Sequence, residues 1–145
     1  MPAEEARLLA HLSGGRPGSA LRLHQSPELL EQRQTWLDDL AQLLRSKRVQ
    51  RFAYADKLSR DKEKRQDALQ AWLSLWRDVL LCASGSSVPL VNLDRAGEIE
   101  DLARQCGPQQ AYAVVNSLLQ TLDQLERNVH PQLCIEVLML DLPYL

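Results

Sequence analysis

Aromatic side chains are scarce in this chain: they make up 5% of its 145 residues, and one alone is phenylalanine. With 45% hydrophobic residues overall, a core must be built mainly from Leu, Ala and Val. Cysteine is thin as well. Cys82, Cys106 and Cys134 are odd in number, far apart and without a CxxC pair, so they read as reduced thiols and not as a disulfide framework. His11, His24 and His130 are scattered, with no HExxH and no His–Cys spacing of a zinc site, so no metal is expected. There is no Gly-x-Ser-x-Gly elbow and no Cys–His signature. Asp38 and Asp39 are adjacent on one helix and point apart, so they make no acid/base pair. The expectation is no catalytic residue and no cofactor. No apolar run reaches the ~18 residues of a membrane span. The opening MPAEEARLLA lacks the basic start and apolar centre of a secretion signal. A soluble, cytoplasmic chain with no membrane partner is expected.

What is abundant is leucine, together with Ala, Gln, Glu and Arg, and β-branched runs are few; this composition points to helices. Residues 3–12 read as a helix with Leu8, Leu9 and Leu12 on one face, stopped by Gly14 and Gly15. Pro17 opens a short second helix to about residue 24. Ser26 caps and Pro27 starts the next, which carries Leu29, Leu30, Trp36, Leu37, Leu40 and Leu44. A further helix spans 47–58, and the longest is expected over 60–83, capped by Ser59, with Leu69, Trp72, Leu73, Trp76 and Val79 along one face. The spacing of Trp36, Trp72 and Trp76 places them in the core rather than in a ligand cage. ASGSSVPLVN is a loop by composition. Asp94 is expected to cap a helix over 95–106, which Gly107-Pro108 stops, and Glu98, Glu100 and Asp101 compensate its dipole. Residues 109–127 carry a seam of Ala111, Val115, Leu118, Leu122 and Leu125. The last segment, QLCIEVLMLDL, is apolar nearly all round, which predicts a buried helix. A buried strand fits the same run by periodicity, but there is no second strand to pair with it. The fold class is all-α: a bundle of about five to six helices preceded by a short helical pair.

Charge is uneven. Between residues 45 and 65 nine Lys or Arg face Asp56, Asp61 and Glu63, a net +6, which leaves −8 for the rest of the chain. Arg45, Lys47, Arg48 and Arg51, with Phe52 and Tyr54 interleaved, are the candidate contacts to nucleic-acid phosphates. The competing reading is a solvated bend laced with local ion pairs.

Three stretches, LLAHLSGGRPGSALRL, ALQAWLSLWRDVLL and LDQLERNVHPQLCIEVLMLDLP, together resemble the carboxy-terminal part of bacterial DNA polymerase III clamp-loader subunits of the AAA+ family. The resemblance is greatest to the delta-prime branch. Gly14, Gly15, Pro17, Gly18, Ala20 and Leu21 match the end of the family's lid domain. Leu125, Asn128, Val129, Pro131, Leu133, Glu136, Leu138, Leu140, Leu142 and Pro143 match its closing signature, in which His130 stands where Asn is usual. The resemblance implies a fragment: residues 1–25 as the tail of a lid domain and 26–145 as the helical collar that joins subunits into a ring. The implied role is architectural, in an accessory part of a DNA polymerase holoenzyme that loads the sliding clamp. Its implied partners are the tau/gamma and delta subunits in a hetero-oligomer, with DNA touched indirectly. In ATP-binding relatives the lid corner reads Gly-x-x-Arg-x-Ala-Leu. Counted from Gly15, the arginine slot holds Gly18, and Arg16 lies in the turn before Pro17, where a helix start could still attract an anion. That favours a subunit without ATPase function over a tau/gamma-type subunit. The alternatives are such a tau/gamma-type subunit or a free-standing helical nucleic-acid-binding module using residues 45–65.

Overall fold

A computed structural model describes residues 27–127 and 130–145. The expected short helical pair, the lid-corner residues Gly14, Gly15, Arg16, Pro17, Gly18, Ala20 and Leu21, and Asn128 and Val129 lie outside the described residues. Those described form five α-helices and no strand: α1 (Pro27–Leu44), α2 (Arg48–Ser59), α3 (Lys62–Ala83), α4 (Ala96–Glu126) and α5 (Pro131–Asp141).

Each helix follows from its apolar spacing. On α1, Trp36, Leu37, Leu40, Leu43 and Leu44 fall on one face and are buried. On α3, Leu69, Trp72, Leu73, Trp76 and Val79 do the same. Both rows share one core with α4, which contributes Ile99, Leu102, Val114, Val115 and Leu118. α3 lies along α4, α1 covers α3, and α5 closes the bundle against α2 and α4. The three tryptophans sit in this core, with Trp72 and Trp76 fully buried. The Trp72 indole N–H donates to the carbonyl of Trp36 at 2.8 Å, which ties α3 to α1.

Helix starts differ from expectation in two places. The cap of α3 is Asp61, not Ser59: the Asp61 carboxylate accepts from the Lys64 N–H at 3.1 Å. The Ser59 hydroxyl instead donates to the Asp56 carbonyl at 2.9 Å and closes α2. A carboxylate two residues on is the better partner for the positive end of the α3 dipole. Asp94 caps nothing either. It sits in a 3-10 turn, Leu93–Arg95, and its carboxylate is taken by Arg33 at 2.9 and 3.0 Å and by Gln34 at 2.7 Å. Although burial opposes it, the hydrogen bonds from Arg33 and Gln34 hold the Asp94 carboxyl below its usual range. The preceding loop is pinned by Asp78, a buried carboxylate on α3. It accepts from the Val91 N–H at 3.0 Å and from the Asn92 N–H and side-chain amide at 2.7 and 2.8 Å.

The expected break at Gly107-Pro108 is a sharp kink within α4, with Gly107 at φ 76° and ψ 170°. Pro108 disfavours a helical residue before it, and only glycine adopts these angles readily. A Cβ there would meet nothing within 4 Å. The cost of Gly107→Ala is therefore purely backbone, about 1–3 kcal/mol, and should appear as an earlier urea midpoint. An unchanged midpoint would mean that the two halves of α4 re-register freely.

Candidate subunit interface

The basic segment divides once folded. Arg51 does not join Arg45, Lys47 and Arg48 on the surface: it is fully buried. Its position explains why, since Arg51, Ala55 and Leu58 share the inward face of α2 at i, i+4 and i+7. Its guanidinium donates to the carbonyls of Leu43 (2.9 Å) and Leu44 (3.4 Å) at the end of α1, and to those of Met139 (2.7 Å), Leu142 (2.9 Å) and Pro143 (2.6 Å) at the end of α5. Its outer side stacks on the Tyr144 ring at 3.7 Å. Burial pushes its pKa down and Tyr144 opposes that shift, but an arginine starts so high that it stays protonated. The expected phosphate contact is a clasp on two helix ends whose carbonyls have no partner within their own helices.

The other cations are also partly consumed. Arg60 pairs with Asp56 at 2.7 Å, and Arg65 donates to the Ser59 carbonyl at 2.9 Å. Arg45, Lys47 and Arg48 stay exposed around the α1–α2 corner. Between α1 and α2 a cleft of about 280 Å³ is lined by Trp36, Asp39, Tyr54, Lys57 and Leu58. There burial and the Asp39 carboxylate, 2.8 Å from the Tyr54 hydroxyl, push the phenol's pKa far up and lock its proton in place. Among the described residues, no group of His, Cys, Asp and Glu could hold a metal ion, and no helix is long and apolar enough to cross a membrane.

The surface that stands out is α5. It is not buried all round as expected. Cys134, Ile135, Leu138 and Met139 face the core, while Leu133, Val137 and Leu140 are 56%, 50% and 46% exposed. The exposed three recur at i, i+4 and i+7, one continuous stripe along the outer side of the helix. The reason lies in packing: among the described residues α5 packs mainly against α2 and α4, and two neighbours cover only part of a helix. An eleven-residue helix at the edge of a bundle has more apolar positions here than one buried face uses, and nothing local in the sequence marks that edge position. Two residues of the closing signature shape this element. Pro131 occupies the first helical position, where a missing N–H is not felt, and the His130 Nδ1 accepts from the Leu133 N–H at 3.3 Å. Glu136 lies beside the stripe, its carboxylate accepting from the Gln132 side-chain amide at 3.2 Å.

A family model described as DNA polymerase III, delta subunit, C terminal, matches residues 27–143. The match takes in the second and third resembling stretches and excludes the first, which ends before it. The subunit it names is delta; the expected delta-prime branch is corrected accordingly, and the tau/gamma alternative is not what the match names. No curated protein and no solved structure matches the chain.

Proposed function

The chain belongs to the family of carboxy-terminal domains of the DNA polymerase III delta subunit, and from that premise we propose that it is a helical assembly domain of a clamp loader, joining neighbouring subunits of the complex that loads the sliding clamp in DNA replication. The observation that carries the proposal is the family match across almost all of the described bundle. The exposed stripe on α5 supports it, since persistent apolar surface on a helical domain marks a protein–protein contact. Residues 26–145 act in this reading as the collar, and residues 1–25 as the tail of a preceding lid domain. The partners are other clamp-loader subunits, tau/gamma among them, and the domain itself catalyses nothing. Mixing the chain with the carboxy-terminal region of its cognate tau/gamma subunit, and measuring mass by light scattering over a micromolar concentration series, should yield a hetero-complex. Masses that stay those of the separate chains would overturn the proposal.

Contact with DNA is then a minor property, confined to Arg45, Lys47 and Arg48. Three phosphate contacts give a slope of log K against log salt of about −3 for duplex DNA. Anisotropy titrations with primed DNA should therefore show binding at low salt only, and the triple alanine variant should flatten the slope by about 3. A much steeper slope that persists in that variant would favour the free-standing nucleic-acid-binding reading.

A further inference from the structure

The outer face of α5 also specifies the chemistry of what covers it, and this rests on the assembly reading above. By the 100° step of an α-helix, Glu136 and Asp141 lie about 70° to either side of the stripe formed by Leu133, Val137 and Leu140. Both carboxylates are already placed by the fold: Glu136 by the Gln132 amide and Asp141 by the Ser117 hydroxyl at 3.3 Å. Neither has a cation partner among the described ion pairs, and α5 contains no Lys or Arg. The face is thus an apolar seam one residue wide between two acidic rims. Side chains at i, i+4 and i+7 form the ridge that another helix accepts in its groove. A second copy of α5 would bring four carboxylates along one seam with no cation to meet them, so self-association is disfavoured.

We infer that α5 docks a helix of a neighbouring clamp-loader subunit that carries an apolar stripe flanked by Lys or Arg. The apolar seam supplies most of the affinity, and the acidic rims select the partner and its orientation.

The test uses the full chain and the tau/gamma carboxy-terminal region. The chain alone should be monomeric over the same concentration series; a dimer abolished by Val137→Asp would overturn the inference in favour of a second copy. In the mixture, Val137→Asp should weaken the complex about tenfold or more. Val49→Asp, at a site on α2 that is 78% exposed, should leave it unchanged. Helical circular dichroism and melting of both variants should match the parent, because neither side chain fills the core. Glu136→Gln with Asp141→Asn should weaken the complex several-fold at low salt and remove its salt dependence. Assembly that ignores Val137→Asp would overturn the choice of face while leaving the assembly role standing. Sensitivity to Val137→Asp without sensitivity to the double amide variant would overturn the basic-helix partner. No complex with the parent chain overturns both this inference and the reading beneath it.

Discussion

Replacing Arg51 with methionine is expected to cost the bundle about 3–5 kcal/mol, the range for deleting one member of a buried, fully hydrogen-bonded charged group. Methionine keeps most of the side-chain volume but none of the donors. Five carbonyls, on Leu43, Leu44, Met139, Leu142 and Pro143, then lose the guanidinium donor in a place that water does not reach, and only those of Leu43 and Leu44 keep a backbone N–H, from Ser46 and Leu145. These are groups at the carboxy-terminal ends of α1 and α5, where a cation is also favoured by the dipoles of both helices. Arg51→Lys separates charge from geometry. It keeps the charge, but three donors on a compact ammonium cannot reach five oxygens arranged around a planar fork. It is expected to lose most of the same stability in urea unfolding. A lysine variant close to the parent would show that charge alone is enough and that the fork geometry is incidental. The function follows the same path. Arg51 holds the end of α5 and the segment after it against α1, and Leu145 adds a backbone bond to the Leu44 carbonyl at 2.8 Å. Loosening this clasp is expected to weaken subunit binding even though Arg51 never meets a partner.

The second large effect is at Trp72. Trp72→Ala should destabilise by about 3–5 kcal/mol, since it removes a fully buried indole and leaves a cavity between α1, α2 and α3. It also frees the Trp36 carbonyl and takes away the ring against which Tyr54 packs, with centroids 6.0 Å apart. Trp72→Phe refills much of the space and forfeits the N–H donor. Its loss should be closer to the ~1 kcal/mol of a single neutral hydrogen bond, plus a small packing term. Equilibrium urea unfolding of both variants measures the two parts. If the phenylalanine variant lost as much as alanine, the Trp72–Trp36 bond and not the buried area would be what holds α1 to the bundle.

The helices themselves were legible residue by residue. Pro27 at the start of α1, the apolar face of α3 and the seam of α4 can each be read from spacing, because a helix buries one side and the 3.6-residue period shows which side that is. The Gly107-Pro108 kink was legible for a similar reason: φ above zero and a missing N–H are local properties of two residues. The resemblance in the second and third stretches pointed to the right complex through residues that are mostly core, Leu138 and Leu142 among them, and named a different subunit from the one the family match names.

What the chain alone could not show was which neighbour each face meets. Arg51 carries the same charge as Arg45 and Arg48, and only the approach of the α1 end and of the α5 end, the latter 88 to 92 residues away along the chain, turns it inward. Asp94 has the chemistry of a helix cap, but Arg33 and Gln34 on α1 come close enough to claim it. Apolar residues around α5 predict burial all round, whereas two packing partners cover one side and leave Leu133, Val137 and Leu140 outside. Local periodicity thus determined that these segments are helices and which of their residues seek cover. Only the tertiary packing decided which were covered, because burial depends on groups brought together from distant parts of the chain.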